Sequence, residues 1–133
     1  MKTSVLNSDS VHVWLDLESD WVEAHWQSDI NISEWEAAHT ILSQLALEHG
    51  LNKYLFDIRK GYLSAELEDD ILENRRAYLI LWEAGIRHYA SIARDEKQLA
   101  LREPQIRKLM PSAANMKFFL DDGEARRWLA AQT

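Results

Sequence analysis

The chain has 133 residues, 47% hydrophobic and 28% charged, which supports a packed core without covalent staples. It has no cysteine, which excludes disulfides, thiol catalysis and cysteine-ligated zinc or iron–sulfur centres and fits a reducing cytoplasm. The formal charge of −7 argues against general nucleic-acid binding, because phosphates are repelled.

That charge is polarised. Residues 1–73 carry 4 Lys and Arg against 15 Asp and Glu, a net −11; residues 74–133 carry 11 against 7, a net +4. Such a domain can dock a charged partner, although solvated helix faces produce the same imbalance. No apolar run approaches the roughly 20 residues of a membrane span, and the N-terminal "MKTSVLNSDSVHVWL" has no charged-then-apolar order, so no secretory signal is expected.

"VHVWLDL" (11–17) alternates, with Val11, Val13, Leu15 and Leu17 opposite His12, Trp14 and Asp16. After the break "ESD", "WVEAHWQS" alternates again, with Trp21, Glu23 and His25 on one side and Val22, Ala24 and Trp26 on the other. Two period-two runs around a short polar break predict a β-hairpin. "ISEWEAAHTILSQLALEHG" predicts a helix, opened by a Ser33–Glu36 capping box, buried through Trp35, Ala38, Leu42 and Leu45, and stopped at Gly50.

"KYLFDI" (53–58) then reads as a short strand. "SAELEDDILENRRAYLILWEAG" (64–85) reads as a long helix with Leu67, Ile71, Tyr78 and Leu81 or Trp82 on its buried stripe. "IRHYASIA" (86–93) is apolar on both faces, as a central strand is. Residues 95–110 look helical but contain Pro104, so a broken or two-part helix is expected. "MKFFL" is a final strand, and "DDGEARRWLAAQ" a last helix capped by Asp121. The order β-β-α-β-α-β-α-β-α predicts one α/β domain over 1–133. Its mixed, mostly parallel sheet carries an N-terminal β-hairpin and about four helices.

Three features resemble the SpoIIAA-like proteins of the STAS superfamily, whose sheet is related to CRAL-TRIO lipid-carrier domains. They are the hairpin-first element order, the strand ending Asp57-Ile58-Arg59 before a long helix, and the ending "FFLDDGEARRWL" with Phe118, Phe119, Asp121, Ala125, Trp128 and Leu129. The resemblance implies a bacterial-type regulatory domain that binds proteins. In anti-sigma-factor antagonists of this type the loop after the corresponding strand carries an Asp-Ser-Ser-Gly-like motif whose serine is phosphorylated. This chain has "DIRKGYLSAELEDD" there, with Ser64 the only serine, no preceding aspartate and no following glycine. Ser64 therefore reads as a helix N-cap with Glu66 in the first turn, and a phosphorylation switch is not expected.

In a parallel sheet the functional crevice lies beyond the carboxyl ends of the strands. Asp57, Arg59 and Lys60 fall at one such end and Arg94 and Asp95 at the next, so a small anionic ligand is physically admissible there. The plain alternative is that Asp57 pairs with Arg59 or Arg94. His12 and His25 face each other across the hairpin but lack a third metal ligand, and no metal or other cofactor is expected. His39 falls on the first helix, His49 near its end and His88 in a strand. "LEDD" (67–70) reads as a solvated acidic run. No nucleophile–base–orienter set assembles, so no enzyme is expected.

Trp35, Trp82 and Trp128 fall on core stripes. Trp14 and Trp21 fall on the polar side of the hairpin, either as an interface or beneath a helix or chain terminus. The expectation is a cytoplasmic, non-enzymatic binding domain that meets a protein partner or itself, with a homodimer through Trp14 and Trp21. The alternative is a carrier or sensor of a small apolar, lipid-like or anionic ligand.

Overall fold

Strand formation begins earlier than the hairpin alone predicts. In the computed structural model, which describes residues 2–64 and 71–133, β1 (Lys2–Asn7) pairs antiparallel with β2 (Val11–Asp16), and β2 with β3 (Trp21–Ile30). β1 is almost wholly exposed and shows no apolar alternation, so only its pairing with β2 makes it a strand. Lys2 and a register shift between Ser4 and Leu6 blunt its open edge. The β2–β3 turn carries a left-handed Asp20 (φ 70°) and an Asp16 carboxylate that accepts the Ser19 N–H at 2.9 Å. Because β2 ends at Asp16, Leu17 lies outside the core, where alternation had placed it inside.

β3 runs directly into α1 (Ile32–His49), and this moves the helix cap. Asn31 Oδ1 accepts the Glu34 N–H at 2.9 Å, and Glu34 Oε1 accepts the Asn31 N–H at 3.4 Å. The capping box is therefore Asn31–Glu34, two residues before the expected Ser33–Glu36, because the strand leaves no linker. Gly50, at φ 63°, ends the helix as expected.

β4 (Lys53–Leu63) is longer than the expected "KYLFDI". It pairs parallel with β3 along its length but with β5 (His88–Ile92) only through Asp57, which sits opposite Ile92. Its outer half therefore projects past β5. The expected helix over 64–85 is seen as α2 (Ile71–Glu83). Ser64 closes the described segment, while Glu66 of the expected cap and the "LEDD" run (67–70) lie outside the described residues.

α3 (Glu96–Leu109) is one helix through Pro104, not two. Pro104 cannot donate to the Ala100 carbonyl, but both residues lie on the exposed face, so that oxygen is not stranded in the core. β6 (Asn115–Phe119) and α4 (Asp122–Ala130) close the chain.

The sheet is mixed, with order β1-β2-β3-β4-β5-β6. The β1–β3 meander is antiparallel, and β3 through β6 are parallel. β5 is an interior strand, flanked by β4 and β6, as its two apolar faces require, but it stands next to the edge and not at the middle of the sheet. One sheet face meets α1, α2 and α3, through a core that includes Trp26, Trp35, Leu42, Phe56, Tyr78, Leu81 and Ile106. Among the described residues the other meets α4, through Trp21, Leu55, Ala90, Ile92, Phe119, Ala125 and Leu129. No helix among the described residues is long and apolar enough to cross a membrane.

Candidate functional site

The α4 side of the sheet holds two carboxylates on neighbouring strands, Glu23 on β3 and Asp57 on β4. Glu23 comes from the middle of β3, between Trp21 and His25 in the period-two pattern. Its side chain is fully buried. It accepts from Arg126 Nη1 at 2.6 Å and Nη2 at 3.2 Å, from the Trp21 indole N–H at 2.8 Å and from His25 Nε2 at 2.8 Å, with Lys2 Nζ at 3.1 Å. Burial alone would raise this carboxyl. The hydrogen bonds from His25, Arg126 and Trp21 overcome it and hold Glu23 far below the ordinary carboxylate range. Arg126 is held on α4 by Asp122 at 2.9 Å, and its own ionisation is pushed further up despite burial.

Asp57 sits where β4 changes register. His25 pairs with Asp57, but Gln27 pairs with Lys60, so Ile58 and Arg59 together oppose Trp26. This bulge turns the backbone so that Arg59 reaches back to Asp57. Asp57 Oδ1 accepts the Arg59 N–H at 3.0 Å and Nε at 3.1 Å; Oδ2 accepts Nε at 3.3 Å and Nη2 at 2.8 Å. Burial pushes Asp57 up, but Arg59 brings it down overall, and Asp57 in turn raises Arg59. His25 Nδ1 lies 3.6 Å from Asp57 Oδ2, too long for a hydrogen bond but close enough to join the two carboxylate centres electrostatically.

A cleft of about 130 Å³ opens beside Asp57, lined by His25, Trp26, Gln27, Asp57, Arg59 and Lys60. It brings together the expected Asp57, Arg59 and Lys60. Arg94 stands outside its lining: it donates to the Arg59 carbonyl at 3.3 Å and lies 4.6 Å over the exposed Tyr62 ring. Asp95 caps α3 by accepting the Gln98 N–H at 2.8 Å. Ser64 is not a lining residue; its N–H donates to the Ile30 carbonyl at 2.8 Å, closing the β3–β4 pair.

His12 does sit opposite His25, as the hairpin pattern predicted. No group of three metal-ligating side chains occurs among the described residues. Trp14 and Trp21 share the α4 side of the sheet, but they differ in exposure. Trp21 is 3% exposed because α4 covers it, so its indole does not face outward. Trp14 is half-buried, stacked on His12 at 4.0 Å with Lys2 5.0 Å above it.

Glu23, His25, Gln27, Arg126, Asp122 and Lys2 were absent from the expected site. The alternation of Trp21, Glu23 and His25 placed them on one face, but no local pattern says which helix covers that face.

On the opposite face, His39 Nδ1–H donates to the Trp35 carbonyl at 2.8 Å, and burial lowers its pKa to about 4. The adjoining cavity, between α1 and α2, is about 40 Å³, room for about one water.

No family model and no curated protein matches the chain. Among solved structures it is similar to an uncharacterised protein of the DUF3478 family with a SpoIIAA-like fold, from Shewanella loihica PV-4. The two share 20% identity over 96% of this chain and 98% of that one, with a TM-score of 0.64. The chain has a SpoIIAA-like fold.

Proposed function

We propose that the chain acts as a single SpoIIAA-like unit, non-enzymatic and cytoplasmic, that works by binding a protein partner or a second copy of itself without a serine-phosphorylation switch. The observation that carries this reading is the half-covered second face of the sheet. α4 packs over β4 to β6 and over the start of β3. The part formed by β1 and β2 keeps Trp14 and His12 only partly buried, next to the open edge of β1. A stacked aromatic pair beside a cation is the kind of surface that becomes an interface hot spot once it is dried.

The acid–base cluster supports the non-enzymatic half of the reading. Glu23 and Asp57 are both saturated by internal donors, so neither is left as a base aimed at a substrate.

Sedimentation equilibrium of the wild type and of Trp14→Glu tests the self-association branch. The expected result is a wild-type dimer at tens of micromolar and a folded Trp14→Glu monomer. A wild type that is monomeric throughout removes the homodimer, and a dimeric Trp14→Glu removes this face.

A further inference from the structure

The cleft at the bulge has a lopsided hydrogen-bond inventory. An ionised carboxylate offers about four lone-pair sites. Asp57 accepts three N–H groups, all from Arg59, with the Nε–H shared between its two oxygens, so both oxygens are already occupied. His25 has committed Nε2 to Glu23. The donors are not spent. Among the described residues, the Lys60 ammonium and the Gln27 side-chain amide have no hydrogen-bond or ionic partner, and Arg59 uses Nε and Nη2 but leaves Nη1 free. The bulge sends the consecutive side chains Arg59 and Lys60 into the same cleft, and the pairing of Lys60 with Gln27 brings in the amide.

Local charge points the same way: the lining of the cleft carries Arg59 and Lys60 against Asp57, a positive remainder in a chain of net charge −7. We infer that the cleft between the outer ends of β3 and β4 is a binding site for an oxyanionic group, a carboxylate or a phosphate, held by Lys60, Gln27 and the free Nη1 of Arg59. Its volume of about 130 Å³ suits a headgroup of a few heavy atoms and not a whole cofactor. A carboxylate on a partner protein and a free small ion share this chemistry.

Two-dimensional ¹⁵N NMR titration with inorganic phosphate, with acetate and with an acetyl-capped, amidated tetraglutamate separates these sources at constant ionic strength. The expected result is a saturable shift of the Gln27 side-chain amide and the Arg59 Nε–H. Lys60→Glu should weaken binding by about tenfold or more, as loss of one charge-assisted bond implies. Lys60→Arg should retain it, and Lys108→Glu, a remote charge control, should leave it unchanged. Tighter binding of the peptide assigns the group to a partner, and tighter binding of phosphate or acetate assigns it to a free ion. Shifts that are linear in ligand, spread over all surface cations, or equal in Lys60→Glu overturn the site. The site does not depend on the partner surface at Trp14: a monomeric protein that still shows the saturable Gln27 shift loses the homodimer and keeps this site.

Discussion

Glu23 and Asp57 lie on the same side of the sheet, each paired with an arginine and each held below the ordinary carboxylate range, yet they are built differently. Asp57 takes its hydrogen bonds from a residue two positions away, through a bulge. Glu23 gathers Lys2, Trp21, His25 and Arg126, the last of them 103 residues distant. The first arrangement is local and survives small movements of its neighbours. The second closes only when β1, β3 and α4 are all in place. Long-range pairing thus makes Glu23 a fastening of the fold. Local pairing leaves the surroundings of Asp57 open, with unspent donors at its rim.

The largest effect that tests this contrast is Arg126→Ala. It leaves a fully buried carboxylate short of its bidentate partner and should cost about 3 to 5 kcal/mol in urea unfolding. Arg59→Ala should cost only about 1 kcal/mol, because the partly exposed Arg59 is screened by water. Equal losses would erase the distinction between fastening and open centre.

Acid provides a second separation, of similar size. His39 has a folded pKa of about 4, below its unfolded value near 6.5, so the unfolded chain binds the extra proton between them. Stability should therefore fall as pH drops from about 6.5 to 4, by on the order of 3 kcal/mol. His39→Leu should flatten that window. The loss that persists at lower pH belongs to the depressed carboxylates, Glu23 first. Their contribution is complete above the ordinary carboxylate range and disappears as pH falls through their folded values. A His39→Leu variant with the wild-type slope between pH 6.5 and 4 would contradict the assignment.

A smaller effect concerns the strand just past the bulge. A Cβ at Gly61 would lie 2.9 Å from Trp26 Cβ and 3.0 Å from Ile30 Cδ1, both side chains buried, so its neighbours must shift to admit it. Gly61→Ala should cost about 1 to 3 kcal/mol and disturb the cleft more than the Glu23 centre. This is read from thermal unfolding together with the Gln27 side-chain signal. An unchanged midpoint would mean that β4 does not need close approach there.

Much of the fold was legible because its buried faces carry regular periods. Trp35, Ala38, Leu42 and Leu45 at helical spacing revealed α1, and Val11, Val13 and Leu15 at period two revealed β2. β1 was hidden because an exposed edge strand needs no apolar pattern. The outer half of β4 was hidden because Arg59, Lys60 and Gly61 interrupt the apolar run after Ile58, whereas a bulge and a close contact with Trp26 keep them in the strand. Half of the cleft could be read from Asp57, Arg59 and Lys60, which follow one another along the chain. Gln27 and His25 could not, because the register between β3 and β4 decides that they line it. The Glu23 centre is the extreme case: Lys2 and Arg126 lie at opposite ends of the sequence, and only the packing of α4 joins them. That same packing covers Trp21, which alternation alone had turned outward with Trp14.

Native mass spectrometry of the protein released directly from cells tests the binding reading most directly, because it weighs the chain together with whatever it holds. The predicted result is the mass of two chains, or of one chain with another protein. A monomer that retains a small apolar molecule, or a bare monomer at tens of micromolar, would contradict it.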